Sequence, residues 1–159
     1  MIQCATLDDA AAVSDVLTRA AAQLAQRGHA LWGESETGLA AIQEHVRAGM
    51  YFLARDGEGP VGVFRFQLED FYFWPEISDG SSAFIHKLAV HPRSQGRGVA
   101  HQLLSHACEL TRQHGRRHLR LDCRQGRPKL NAVYESFGFR HHSSKQISDQ
   151  FFERYEFEV

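Results

Sequence analysis

Apolar positions in the first third of the chain recur every three or four residues, which is the spacing of one buried helix face. The residues on this face are Val13, Val16, Leu17, Ala20, Ala21 and Leu24. Thr6, with Asp9 three residues later, predicts the cap that begins this helix, and Gly28 predicts its end. A second and shorter helix is predicted from about Thr37 to Arg47.

Strand-like runs occupy much of the remaining chain. Tyr51–Arg55 and Val61–Leu68 flank a turn of Asp, Gly, Glu, Gly and Pro, and this order predicts a hairpin. The other predicted strands are Met1–Ala5, Phe84–Val90, His118–Cys123, a stretch beginning at Phe139, and Phe151–Val159. The remaining predicted helices are one from Val99 that is closed by Gly115, and one that follows the turn Gln125–Pro128 and ends near Phe137.

The predicted order is strand, helix, helix, three strands, helix, strand, helix and two strands. This order is typical of an α/β fold with a mixed sheet of six to seven strands and helices on both faces. The chain has 159 residues and shows no repeat or linker, so we expect a single domain spanning residues 1–159.

The most informative stretch is a strand, a loop and a helix between Phe84 and Ala107. His91-Pro92 ends the strand, because proline cannot donate a ladder hydrogen bond and restricts the residue before it. Gly96 and Gly98 allow the backbone to approach a ligand closely. The bare N–H groups of the following helix start predict an anion site, most naturally for phosphate.

The composition of the chain restricts the classes of partner and the cellular location that we expect. Lys and Arg number 18 against 19 Asp and Glu, and this balance argues against a nucleic-acid partner. No apolar run is long enough to span a membrane, and the first residues lack a signal-peptide pattern. Cys4, Cys108 and Cys123 are widely spaced and odd in number, so we expect reduced thiols and no zinc site. These features predict a cytoplasmic protein.

Two common phosphate loops do not fit. A P-loop requires Gly-Lys-Ser/Thr, which is missing, and the dinucleotide fingerprint requires a third glycine where His101 stands. The pattern Gln/Arg-x-x-Gly-x-Gly/Ala does fit, at Gln95, Gly98 and Ala100. After a strand that ends Leu-Ala-Val, it resembles motif A of the GNAT superfamily of acyl-CoA N-acyltransferases.

A second segment strengthens the resemblance. Leu121–Cys123 followed by the helix Leu130–Phe137 and then Gly138-Phe139 is similar to motif B of the same superfamily, which ends in Tyr-Glu-x-x-Gly-Phe. The alternative for the first loop is a tight turn with solvated arginines. That alternative becomes minor once both motifs are counted, and the resemblance covers nearly the whole chain.

The resemblance implies acetyl-CoA or a related acyl-CoA as cosubstrate, and no metal. It places the pyrophosphate on the glycine loop and the pantetheine arm along the strand end, where the Val90 N–H would polarise the thioester carbonyl. The implied cofactor contacts are Leu88, Ala89, Val90, Arg93, Gln95, Gly96, Arg97, Gly98, Val99 and Ala100. Either arginine is alternatively a solvated loop residue.

Tyr134 matches the tyrosine that the family pattern places beside the cofactor sulfur, which implies a general acid. The alternative is a packed core tyrosine. His86 is a candidate base, since its unperturbed pKa is near 6.5, although a lone strand histidine is more often a packed residue. Four carboxylates flank the acceptor side without one standing out, and they are Glu69, Asp70, Glu76 and Asp79.

The acceptor wall is expected in two aromatic loops. Its candidate residues are Trp32, Tyr72, Trp74 and Glu76. So many aromatic residues suggest a lid or a wall that accommodates a cation. A hydrophobic plug or a homodimer contact is an equal alternative. Arg127 stands where many relatives carry a cofactor-binding asparagine, so that contact is not carried over to this chain.

The sequence therefore predicts an N-acetyltransferase that moves an acetyl group from acetyl-CoA to a primary amine of a small molecule, directly and in a ternary complex. Two alternatives remain open. One is a protein or peptide N-terminal acetyltransferase, and the other is a non-catalytic acyl-CoA-binding regulatory module.

Overall fold

The computed structural model describes all 159 residues. The helices are α1 (Ala10–Gln26), α2 (Glu34–Thr37), α3 (Leu39–Arg47), α4 (Val99–Gln113) and α5 (Pro128–Phe137). The strands are β1 (Ile2–Cys4), β2 (Tyr51–Asp56), β3 (Gly59–Gln67), β4 (Ser82–Val90), β5 (His118–Arg124), β6 (Arg140–Ile147) and β7 (Gln150–Glu158). None of these helices combines the length and the apolar composition needed to cross a bilayer.

The seven strands form one sheet in the order β1-β2-β3-β4-β5-β7-β6. The sheet is mixed, since β4 and β5 are parallel while β1–β2, β2–β3, β5–β7 and β7–β6 are antiparallel. The predicted mixed α/β fold is therefore confirmed. The helix α2 lies in a stretch predicted to be mainly loop, and its start is capped by the Glu36 carboxylate, which accepts a hydrogen bond from the Gly33 N–H at 3.4 Å.

The start of α1 follows the predicted cap. The Asp9 carboxylate accepts hydrogen bonds from the Thr6 N–H and hydroxyl, each at 2.9 Å. Residues Leu7–Asp9 form a 3₁₀ turn that leads into the helix. The polar residues of this segment satisfy N–H groups that the helix itself leaves bare.

The chain divides into two compact units, residues 1–65 with 87–103, and residues 66–86 with 104–159. The expected single domain stays a prediction. In the first unit, α1 and α3 pack on β2 and β3 through a continuous apolar core. Gly62 lies on the opposite face of β3, where a Cβ would come within 2.8 Å of Leu103 on α4. Glycine at this position therefore allows a helix to pack on the second face.

The second unit has its own core around β5 and β7. Leu119, Leu121 and Tyr155 are buried there, together with Phe84 of β4. Trp74, from the connector that precedes β4, is fully buried as well, and its ring lies 6.3 Å from that of Phe84. The aromatic connector is thus part of this core.

Candidate functional site

The glycine loop lies in the first unit, between β4 and α4. A short 3₁₀ turn at Pro92–Ser94 comes first, and residues 95–98 are exposed. Gly96 and Gly98 adopt φ values of +74° and +77°. A Cβ at either glycine would meet no atom within 4 Å. The positive φ values explain the glycines, and the open space above them leaves room for a ligand.

The N–H groups of this loop are available to an anion. Ser94 and Gln95 donate their N–H groups to the His91 and Pro92 carbonyls, and the next donor is Gln102, which bonds to the Gly98 carbonyl. The N–H groups from Gly96 to Ala100 lie between these donors, at the positive end of the α4 dipole. This arrangement fits the pyrophosphate of an acyl-CoA.

The two loop arginines differ in whether they are already paired with carboxylates. Arg93 pairs with Asp56 at 3.2 Å and with Glu58 at 3.0 Å, and it also donates to the Pro60 carbonyl. Arg93 therefore holds the loop against the β2–β3 hairpin. Arg97 is exposed and forms no ion pair, so it is the arginine left for a phosphate. The Gln95 side chain donates to Gln23 of α1 at 2.6 Å.

The end of β4 departs from regular strand geometry. Lys87 adopts a φ of +54°, a value that is uncommon for a residue other than glycine. Pairing of β4 with β5 extends only from Ser82↔His118 to Ile85↔Leu121, although both strands continue. Backbone groups that leave the ladder can pair with an extended ligand, which is the role predicted for Leu88, Ala89 and Val90.

Tyr134 lies on α5 in the second unit. It is 4% exposed, and its ring lies 6.0 Å from Phe139 and 5.9 Å from Tyr155. Burial raises the pKa of Tyr134 well above its ordinary value, and the nearby Cys123 and Asp122 act in the same direction. The phenol therefore keeps its proton throughout the neutral range. Tyr134 is thus a packed core tyrosine that still holds a proton to donate.

Cys123 is suited to packing and not to nucleophilic attack. Its thiol donates to the Asn131 side-chain oxygen at 3.1 Å. Burial raises the pKa of Cys123 to about 12, with Asp122 and Glu153 adding to the effect, so the reactive thiolate is not formed near neutral pH.

His86 lies between two carboxylates of the second unit. Its Nε2 is 2.9 Å from an oxygen of Asp70, and its Nδ1 is 3.4 Å from an oxygen of Asp122. All three side chains are less than a tenth exposed. The Phe73 ring lies 5.6 Å from the imidazole. The structure thus adds Asp70 and Asp122 as the partners of the candidate base.

Asp70 is held in its ionised form. Burial alone would raise the pKa of Asp70, but the contact with His86 and the N–H groups of Phe73 and Tyr72 outweigh it and hold the pKa below its ordinary value. Those N–H groups donate to the second Asp70 oxygen at 2.9 and 3.1 Å. Asp70 therefore organises the start of the aromatic connector and fixes one nitrogen of His86.

The three side chains are grouped closely enough to be considered as metal ligands. However, Asp70 and Asp122 face different nitrogens of the His86 ring. A metal site would need both carboxylates to converge with a single ring nitrogen on one point. The geometry instead is that of an imidazole with one carboxylate near each ring nitrogen.

The connector residues predicted for the acceptor wall differ in their burial and in the groups that they contact. Trp74 is fully buried, between the Arg154 guanidinium at 4.3 Å and the Arg120 guanidinium at 5.0 Å from its ring centre. Glu76 pairs with Arg154 at 2.6 Å. Tyr72 is 64% exposed. Trp74 is therefore a buried packing residue, whereas Tyr72 remains exposed.

Trp32 lies in the first unit, in the loop between α1 and α2. The Lys87 ammonium is 4.8 Å from the centre of the Trp32 ring and 2.6 Å from a Glu36 oxygen. These two contacts tie the loop to the end of β4. Sequence reasoning missed Lys87 because its two partners, Trp32 and Glu36, lie far from it along the chain.

The glycine loop and the protonated tyrosine are features expected of an acyltransferase, and comparison with known proteins supports that class. A model of the Acetyltransferase (GNAT) family matches residues 17–139, so this chain belongs to the GNAT acetyltransferase family. It is therefore an acyltransferase, and acetyl-CoA is the acyl donor in this family. No curated protein matches the sequence.

Solved structures share the fold at low sequence identity. A GNAT-family acetyltransferase from Listeria monocytogenes is 18% identical with a TM-score of 0.78, covering 100% of this chain and 94% of that one. PaiA N-acetyltransferase from Thermoplasma acidophilum, solved with coenzyme A, is 12% identical with a TM-score of 0.76, covering 99% and 98%. YncA from Salmonella typhimurium, solved with acetyl-CoA, is 18% identical with a TM-score of 0.71, covering 99% and 92%.

Proposed function

We propose that this protein transfers the acetyl group of acetyl-CoA to a primary amine of a small molecule, by direct attack of the amine in a ternary complex. The observation that carries the proposal is the open glycine loop at the start of α4, with its uncommitted N–H groups from Gly96 to Ala100. A pyrophosphate is the natural ligand of such a helix start. The three cysteines are free thiols, in keeping with a cytoplasmic location.

The cosubstrate supplies a thioester that is already activated toward amines. Gly96, Arg97, Gly98, Val99 and Ala100 hold its phosphates, while Gln95 braces the loop through its bonds to Pro92 and Gln23. Leu88 and Ala89 bind its arm through the backbone, and the Val90 N–H stabilises negative charge on the thioester oxygen. Arg93 contributes indirectly, because its pairs with Asp56 and Glu58 keep the loop in place.

Tyr134 donates the proton that the departing thiolate requires. Burial favours this task in one respect, because a phenol with a raised pKa stays protonated at every pH at which the enzyme is expected to work. Its hydroxyl is not engaged in any of the hydrogen bonds of α5 or β7, so the proton is not already committed to a protein acceptor.

The proton of the incoming amine is assigned to His86. Nε2 is committed to Asp70 at 2.9 Å, so the more loosely held Nδ1, at 3.4 Å from Asp122, is the nitrogen through which a proton is exchanged. The Asp70 carboxylate beside the opposite nitrogen orients the ring.

Substitution of His86 by glutamine should lower kcat by about a hundredfold, because glutamine keeps a polar side chain on the strand but cannot take up the proton of the amine. The measurement is steady-state thiol release with acetyl-CoA and an amine. His114→Gln is a suitable control, because His114 lies at the end of α4 and bonds to the Leu110 carbonyl. A kcat within a few fold of wild type in His86→Gln would assign His86 a purely structural role.

A small acceptor is favoured over a peptide by the contacts of Lys87. Lys87 joins Glu36 and Trp32 to the end of β4, which holds the loop that carries Trp32 next to the strand. Trp32 and Tyr72 are the aromatic residues that we assign to the acceptor side, with Glu76 already paired to Arg154.

A free-thiol release assay with acetyl-CoA tests this function across polyamines, amino acids, aminoglycosides and peptides. We expect release that depends on a small amine and is weak with peptides. Faster release with peptide N-termini would favour the peptide acetyltransferase. Binding of acetyl-CoA without release for any amine would favour the non-catalytic module.

A further inference from the structure

A second group of polar side chains lies in the first unit, next to the proposed acyl-binding strand. Tyr51 of β2 and Arg65 of β3 are directly opposite each other in the antiparallel ladder, so their side chains share one face of the sheet. Tyr51 is fully buried and belongs to the same apolar core as Ala89. The site therefore lies on the α1–α3 side of the sheet.

Both residues carry a buried donor that has no partner in the protein. The Tyr51 hydroxyl and the Arg65 Nε are inaccessible to solvent and form no hydrogen bond. Arg65 also forms no ion pair, unlike Arg55 of β2, which pairs with Asp9 at 2.6 Å. Leaving buried donors unsatisfied costs stability, so two of them side by side indicate that a ligand supplies the acceptors.

Arg65 is the cation of this group that has no carboxylate partner in the protein. The pKa of His45 on α3 is lowered by burial and by Arg65 and Lys87, while Glu44 acts to raise it. The Tyr51 hydroxyl is influenced by the positive Arg65 and by the carboxylate of Glu36. Glu36 is already bound to Lys87 at 2.6 Å, so it is not the partner of Arg65.

We propose that Arg65 and Tyr51 form a subsite for a carboxylate group of the acceptor, so that the acceptor carries an amine and an acid in one small molecule, as an amino acid does. The inference rests on the acetyl transfer proposed above. Guanidinium and phenol donors together match the two oxygens of a carboxylate.

Matched substrate pairs test this subsite. Each pair is an amino acid and the amine that remains after loss of its carboxylate, namely phenylalanine with phenethylamine, histidine with histamine, and lysine with cadaverine. We expect kcat/KM to favour the amino acid by about tenfold or more, the size of one charge-assisted hydrogen bond. Equal or better use of the plain amines would overturn the proposal while leaving acetyl transfer itself intact.

Two variants test whether the preference for the amino acid over the plain amine depends on Arg65. Arg65→Met should raise the KM for the amino acid about tenfold, with little change in kcat or in the KM for the plain amine. Arg47→Met is the matched control, because Arg47 is an exposed residue at the end of α3. If the two variants keep the same preference between the members of a pair, the carboxylate does not bind at Arg65 and the proposal is wrong.

Tyr51→Phe provides a second test in case Arg65→Met fails to fold. Removing a hydroxyl that has no partner should leave the melting temperature unchanged or raise it, while the KM for amino acids rises. A purely structural hydroxyl would give the opposite result, a lower melting temperature and an unchanged KM.

If no pair is acetylated, the transfer function fails but the subsite is still tested by calorimetry. Phenylalanine should then bind to the wild-type protein and not to Arg65→Met, and phenethylamine should bind to neither. Absence of phenylalanine binding to the wild type would overturn the subsite.

Discussion

Replacing Tyr134 with phenylalanine should lower kcat by about a hundredfold or more and leave the affinity for acetyl-CoA unchanged. The phenol is 4% exposed and its pKa is raised by burial, so it holds the proton that the thiolate needs on leaving. Phenylalanine keeps the ring packing against Phe139 and Tyr155 and removes only that proton. Steady-state thiol release gives kcat, and calorimetry with CoA gives the affinity.

Tyr155→Phe is the control for this experiment. Tyr155 is a buried tyrosine whose ring lies 5.9 Å from that of Tyr134, and its hydroxyl donates to Glu135 at 3.4 Å. Loss of that long hydrogen bond should change kcat by no more than a few fold. Equal losses in both variants, or a kcat within a few fold of wild type in Tyr134→Phe, would remove the general-acid role.

Gly98→Val should raise the KM for acetyl-CoA on the order of a hundredfold. A β-branched residue at a φ of +77° is strained by up to about 3 kcal/mol, which disfavours the loop conformation by roughly that factor. Its side chain would also occupy the open space in which the ligand is expected. The KM is read from thiol release with acetyl-CoA varied at a fixed amine concentration.

Gly115→Val is the control that separates a loss of acetyl-CoA binding from a loss of stability. Gly115 follows α4 and has a φ of +67°, and a Cβ at this position, as at Gly98, would meet no atom within 4 Å. It carries similar backbone strain in a place that the proposal does not use. Gly115→Val should lower the melting temperature and leave the KM for acetyl-CoA near the wild-type value. If both Gly98→Val and Gly115→Val raised the KM for acetyl-CoA, the rise would reflect backbone strain in general and not the loss of the glycine loop.

Much of the fold follows from local patterns. The helix periodicity of residues 10–26, the cap of Thr6 by Asp9 and the glycine at position 28 all act within a few residues of one another. The glycine loop was predictable for the same reason. Glycine adopts positive φ values at low cost, and Gly96 and Gly98 do so in the structure. Short helices such as α2 escape detection because four residues show no period.

The polar arrangement of the site was less predictable, because it depends on contacts between distant parts of the chain. His86 is fixed by Asp70 of the connector and Asp122 of β5, which only the parallel pairing of β4 with β5 brings near it. The sequence predicted Trp74 as part of the acceptor wall or of a hydrophobic plug, but not that Arg154 of β7 and Arg120 of β5 lie against its ring. Neither arginine is close to it along the chain.

The unpartnered donors of Tyr51 and Arg65 show a second reason why the site could not be predicted from the sequence. A sequence shows which groups can donate hydrogen bonds, but not which of them remain unpaired after folding. Only the register of β2 with β3 places these two residues opposite each other. The acceptor class is therefore the part of the function that needed the structure most.

The most direct test of acetyl transfer is a single time course with acetyl-CoA and an amine, in which free thiol and acetylated amine are both quantified. We expect the two products to appear in equal amounts and thiol release without the amine to be slow. Thiol release at the same rate with and without every amine tested, with no acetylated product, would contradict acetyl transfer by this protein.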